Sequence, residues 1–327
     1  MSRLIVVVGA TGGQGGSVVN AMLADPNYCI RGITRNLESE KAMELTAKGV
    51  EMVKADVGDE ASLDAAFHGA NAIFAITDYY ETFFKHGKDA AMEAEFQAGC
   101  NLARAAARVT TLQRYLWSTL PFTSRLTGGE VIVPHFEGKA RVDEYIRKSL
   151  PSLSEKATFC IFGIFADNLL MYPIFKPVWL ESAGKWVQIW PTLPDAPFHS
   201  LADHKINTGI FVRAIVTADH LRGGSYVTCF VESLTLESAL GIWGKATGKA
   251  PTHGSTAILS ISYDQYVNVW GEMGEEQACQ WKFFEFMNSA GVTALPDTVS
   301  GLSILSEDER KALENTEQSW FRLRDQL

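Results

Sequence analysis

Two stretches of this chain combine residue types and spacing that chemistry can use. "GATGGQGGSVV", residues 9 to 19, follows the apolar run Leu4 to Val8 and spaces Gly9, Gly12 and Gly15 as G-x-x-G-x-x-G. Missing side chains allow a tight turn with positive φ and let an anion reach the backbone, while the first amides of a following helix stay free to bind it. Between a strand and a helix, this spacing predicts a turn that grips the diphosphate of a dinucleotide, with Thr11, Gly13 and Gln14 completing the loop. "HFEGK" puts His135 and Lys139 four residues apart, on one face of a helix and so able to point into one site.

The second predicted strand ends in "TRN", with Arg35 where an acid would otherwise accept from an adenosine 2′-hydroxyl. A guanidinium suits a 2′-phosphate, so NADP(H) is the expected cofactor. Lys41, one turn into the next helix, is a candidate assistant or an ordinary surface lysine. Asp56 and Val57, after the third strand, lie where such folds contact adenine. Thr77 ends the fourth strand at the sheet edge where ligands bind.

These residues need a scaffold, and the first half of the chain supplies one. Strand-like runs occur at 3 to 8, 29 to 34, 51 to 56, 72 to 77 and 114 to 119. Between them lie helical stripes: Val18, Val19, Met22 and Leu23; Met43 and Ala47; Leu63, Ala66 and Phe67; Met92, Phe96, Leu102 and Ala106. Asp59 can cap the third helix, Gly69 can end it, and Asp25-Pro26 closes the first. A further helix covers 136 to 148. This alternation predicts a Rossmann-type, doubly wound parallel sheet over 1-158, with helices on both faces.

The regularity weakens after about 150, so 159-327 reads as a smaller mixed α/β C-terminal lobe packed against the sheet, with segments around 199-232 returning to the first domain. A strand is expected at 224 to 232, a helix at 236 to 248, and a last helix opened by Ser306 and Glu309 at capping-box spacing. Tyr79, Phe162, Phe165, Asn168, Tyr172, Trp179, Trp186, Trp190 and Phe198 could wall a small-molecule pocket, or form core or a protein-binding surface. Tyr79, Phe165, Asn168, Trp179 and Trp186 are the substrate-contact candidates.

The chain has 327 residues, a net charge of -9 and five scattered cysteines without a Cys-x-x-Cys pair. The acidic field argues against direct nucleic-acid binding, and the cysteine spacing against a zinc site or disulfide frame. With no signal-peptide pattern and no run of roughly 20 apolar residues, no membrane association and a cytoplasmic or nuclear location are expected.

"GATGGQGGSVV", "ITRN", "AKGVEMVKADVGDEASLDAAFHGANAIFAITDYYE" and "HFEGK" together resemble the NmrA-like family of atypical short-chain dehydrogenase/reductases. The likeness is close over the first 170 residues and looser beyond, where "SLADHKINTG" still fits. It implies one of two functions. Members similar to isoflavone reductase are NADPH-dependent reductases of a carbonyl, imine or conjugated double bond, with a small hydrophobic, aromatic substrate expected here. Sensor-like members bind NADP(H) and signal to a protein partner such as a transcription factor. In ordinary short-chain dehydrogenases the active helix carries Tyr-x-x-x-Lys, and "HFEGK" lacks the tyrosine. Lys139 then corresponds to the lysine that holds the nicotinamide ribose, and His135 could protonate an alkoxide. Ser118, beside Thr119 in "WSTLP", falls at the strand-end hydroxyl that orients a carbonyl. Oligomers are compatible with this reading.

Overall fold

A computed structural model of the chain describes residues 2–289 and 298–327. The strands are β1 (Arg3–Val7), β2 (Tyr28–Thr34), β3 (Glu51–Lys54), β4 (Ala72–Ala75), β5 (Arg114–Thr119), β6 (Ala157–Phe162), β7 (Ile164–Phe165), β8 (Val178–Leu180), β9 (Lys185–Trp190), β10 (Pro197–Ala202), β11 (Ser225–Cys229), β12 (Glu232–Thr235), β13 (Thr256–Ser260) and β14 (Thr298–Ser300). The helices are α1 (Gly13–Leu23), α2 (Glu40–Ala47), α3 (Glu60–Phe67), α4 (Tyr80–Ala107), α5 (Thr123–Leu126), α6 (Pro134–Ser149), α7 (Pro151–Ser154), α8 (Asn168–Met171), α9 (His204–Thr217), α10 (Leu236–Thr247), α11 (Tyr263–Ser289), α12 (Gly301–Ile304), α13 (Glu307–Ala312) and α14 (Thr316–Leu323).

Eight strands form one parallel sheet in the order β14-β11-β6-β5-β4-β1-β2-β3. The period of two along β1 explains why it is apolar from Leu4 onward. Ile5 and Val7 pack with Val18, Val19 and Met22 of α1 and Phe211 and Ile215 of α9. Val6 faces the other way, onto Leu63 and Phe67 of α3, Leu102 of α4 and Val142 of α6. A strand covered on both faces has no solvent side on which to place a polar residue. This is the doubly wound, Rossmann-type sheet.

Strand β11 and helix α9 come from the second half of the chain and join this sheet, β11 beside β6 and α9 against α1. Ser17 pins the helix pair: its hydroxyl donates to the Ile206 carbonyl at 3.0 Å and accepts from the Gly209 amide at 2.8 Å. A smaller lobe contains two three-stranded sheets, β12-β10-β7 and β13-β9-β8, around a core of Trp190, Phe198, Leu240, Trp243, Trp281 and Trp320.

Local signals act as their chemistry requires. Asp59 caps α3 through the Ala61 amide, Gly69 follows with φ of 79°, and Ser306 with Glu309 forms a capping box on α13. Several expectations need correction. Leu23 is exposed, off the buried stripe of α1; β4 ends at Ala75, two residues before Thr77; and the helix opened by Ser306 is followed by a further one, α14. Met43 is exposed, and Ala42 and Leu45 instead form the buried stripe of α2. The stretch 224 to 232 is not one strand: β11 ends at Cys229, and β12 pairs with β10 in another sheet because the chain crosses from the main sheet to the lobe between them. The third strand stops at Lys54, since Asp56 accepts from the Gly58 amide and turns the chain. Among the described residues, no helix is long and apolar enough to cross a membrane, and no cluster of three or more His, Cys, Asp or Glu could hold a metal ion.

Candidate active site

At the carboxyl edge of the main sheet the chain encloses a cavity of about 1500 Å³ that continues into the lobe. One end is lined by Arg35, Asn36, Ser39, Asp56 and Val57; the middle by Gly9, Thr11, Gly12, Gly13, Gln14, Gly15, Thr77, Ser118, His135 and Lys139; and the far end by aromatic side chains.

The glycine turn is built for an anion. Gly9 has φ of 67°, and a β-carbon at Gly15 would lie 2.2 Å from the Gly9 carbonyl oxygen, so this tight turn requires glycine at both positions. The N-cap of α1 is Gly12, with no side-chain cap and no acid in the first turn. Ser39, Asp59 and Asp203 cap α2, α3 and α9 through side-chain oxygens. The amides opening α1 therefore face the cavity without a side-chain partner, as a diphosphate would need. Arg35 reaches across the mouth to Glu81 at 3.0 Å, both largely exposed.

Lys139 is fixed from three directions. Its ammonium lies 2.9 Å from Thr77 Oγ1, 3.1 Å from the Thr77 carbonyl and 2.8 Å from Glu95 Oε1. Glu95 is buried on α4 and also accepts from the Thr77 hydroxyl at 2.9 Å. Ser118 donates to Gln14 Oε1 at 3.0 Å, tying β5 to the glycine turn.

His135 is held by α11. Its Nδ1 is 2.5 Å from Glu276 Oε1, its backbone amide donates to the same oxygen, and its Nε2 is 3.1 Å from Gln280 Oε1. Tyr79 donates to Glu276 Oε2 at 3.1 Å. Burial pushes the Glu276 carboxyl up, but the His135 and Tyr79 donors outweigh it and leave the group below its ordinary range. Burial, reinforced by the Glu276 charge, pushes the Tyr79 phenol well up.

The aromatic end is walled by Phe165, Tyr172, Phe175, Trp190, Phe198 and Trp281, with Asn168 and Gln188 among them. Three candidates lie elsewhere. Lys41 is exposed on the outer face of α2, and Ser39 lines the cavity at that point. Trp179 is half exposed on the edge strand β8. Trp186 packs behind Trp243, ring centroids 5.4 Å apart, while Trp243 itself faces the cavity. At roughly 3.3 Å per strand residue, Trp186 is about four residues too early on β9 to stand beside Trp190.

A model of the NmrA-like family matches residues 1–269 of this chain. The chain belongs to the NmrA-like family. Among curated NmrA-like relatives, the domain-containing oxidoreductase himF of Aspergillus japonicus is 33% identical over 282 residues, covering 79% of this chain and 81% of its own. The crystal structure of NmrA, a negative transcriptional regulator, in complex with NADP superposes with a TM-score of 0.75 at 21% identity, covering 99% of this chain and 96% of that one. The binary complex of leucoanthocyanidin reductase with NADPH from Vitis vinifera gives a TM-score of 0.70 at 15% identity, over 99% and 100% of the two chains. At such identities the two structures establish a shared fold.

Glu95, Glu276 and Gln280 are site residues that motif reading misses. Glu95 carried a detectable signal: an acid four residues from Ala91 and from Gly99, on the buried stripe of α4. Glu276 and Gln280 reach His135 only through packing across 141 and 145 residues of chain, and no local pattern marks them.

Proposed function

We propose that this NmrA-like chain is an NADP(H)-dependent oxidoreductase that reduces a carbonyl, imine or conjugated double bond of a small hydrophobic, aromatic molecule. The observation that carries this reading is the continuity of one cavity from Arg35, past the uncapped start of α1 and the ammonium of Lys139, to the aromatic wall. At about 1500 Å³ it exceeds the roughly 300–1,000 Å³ of an ordinary ligand site, leaving space for a dinucleotide and a second molecule.

In this reading the amides of Gly13 and Gln14 bind the diphosphate, Arg35 the 2′-phosphate, and Asp56 with Val57 the adenine side. Bound NADPH would supply the hydride. Lys139, oriented by Thr77 and Glu95, exchanges one of its three contacts for a ribose hydroxyl and adds positive charge beside the reacting oxygen. Ser118 orients that oxygen, and His135, oriented by Glu276, delivers a proton to it. The apolar wall excludes water and takes the ring of the substrate. Spectrophotometric assay of NADPH consumption over aryl ketones, cyclic imines and enones tests this function; no turnover with any class overturns it.

One observation favours a second reading, a non-catalytic NADP(H) sensor that binds a protein partner. Both ring nitrogens of His135, which replaces the expected tyrosine, are already engaged by Glu276 and Gln280. A sensor requires partner affinity that changes with cofactor occupancy, and pull-down with and without NADPH distinguishes it.

A further inference from the structure

His204, the first residue of α9, lies against the glycine turn although nearly two hundred residues separate them in sequence. One face of its ring stacks on Phe165, with centroids 4.3 Å apart and planes 12° from parallel. Nδ1 is 3.1 Å from Asp167 Oδ1. Nε2 overlies Gly13, where an added β-carbon would come within 2.1 Å of it. The bare α-carbon of Gly13 is therefore what admits the imidazole. Both His204 and Gly13 line the cavity, and the α1–α9 contact through Ser17 holds them together.

We propose that His204 is a further ligand for the cofactor's diphosphate, a donor supplied by the second half of the chain to the start of α1. This rests on the cofactor reading above. The charges around the ring define how it works. Asp167 is buried and is also 2.8 Å from Lys205 Nζ. Asp203, the N-cap of α9, is paired with Arg322 of α14, which also bonds Glu314 at 3.1 Å. The first turn of α1 contributes no acid, only the partial positive charge of its free amides. In this arrangement Nε2–H donates to the diphosphate, while Asp167, at ion-pair distance from Nδ1, holds the other edge of the ring over Gly13.

The test is calorimetric titration of the full chain with NADPH and with NADH near neutral pH, for wild type, His204→Asn, His204→Gln and Arg35→Ala. The diphosphate is common to both nucleotides, so His204→Asn, which removes the donor at Nε2, is expected to weaken both about tenfold. His204→Gln keeps an N–H near that position and is expected to retain most of the affinity, which guards against misfolding. Arg35→Ala weakens NADPH alone. Unchanged affinity for both nucleotides in His204→Asn, or equal losses in His204→Asn and His204→Gln, overturns the proposal. Failure of wild type to bind either nucleotide overturns the cofactor reading instead.

Discussion

Lys139 and Glu95 form an ion pair at 2.8 Å in the cavity wall, the carboxylate fully buried and the ammonium nearly so. Such a pair orients the lysine, and its loss leaves a charge without a partner. Glu95→Gln is expected to destabilise the fold by about 3–5 kcal/mol, and adding Lys139→Met should recover much of that because the orphaned charge goes too. Urea unfolding of the two single variants and the double variant measures the coupling; strictly additive effects would show that the pair does not act as a unit.

Asp143 gives a pH dependence of known sign. It lies one turn beyond Lys139 on α6, where Thr119 donates to both its oxygens at 2.7 and 2.9 Å and Tyr226 donates at 3.1 Å. Burial nevertheless pushes its carboxyl up to about 8, from the ordinary 3.8. Between those values the folded chain holds a proton that the unfolded chain has lost, so this group's contribution to stability falls as pH rises and levels off above about 8. Asp143→Asn keeps an oxygen for the donors and removes up to about 1.4 kcal/mol per pH unit of that slope. Unfolding at pH 5, 7 and 8.5 reads the difference.

Arg35 is exposed and its ion pair with Glu81 is solvated. Arg35→Ala should therefore leave stability within about 0.5 kcal/mol. Its affinity for NADPH should fall about tenfold to a hundredfold, the value of a charge-assisted phosphate contact. Competition of NADPH against NADH in a fluorescence titration checks both the size of the loss and its restriction to the phosphorylated nucleotide.

Tyr172 and Trp179 stand seven residues apart in sequence but on different surfaces. Tyr172 faces the cavity, its ring 5.6 Å from Tyr80, while Trp179 faces outward from β8. With a substrate found by the NADPH screen, Tyr172→Ala should raise KM about tenfold and Trp179→Ala should leave it unchanged. Equal effects would place the substrate outside the aromatic end of the cavity.

The main sheet was legible because its central strands are buried on both faces and therefore read as apolar runs, and because Gly9 and Gly15 mark a turn that no larger residue could make. Helix faces were less secure. Met43 and Ala42 are neighbours in sequence, and hydrophobicity alone assigns the inward position to the larger residue, whereas packing buried the smaller. The aromatic residues of the lobe were visible as a group but not in direction: Trp186 and Trp190 lie on the same strand, yet only Trp190 reaches the cavity. The partners of the site residues were hidden for a different reason. Glu276 meets His135, and His204 meets Gly13, only after helices distant in sequence have packed, a relationship that no local period encodes.

The most direct test of the central claim is calorimetric titration of the chain with NADPH near neutral pH. Saturable one-site binding at micromolar concentration, weakened by Arg35→Ala, is the predicted result. Absence of heat and of saturation at millimolar nucleotide would contradict it.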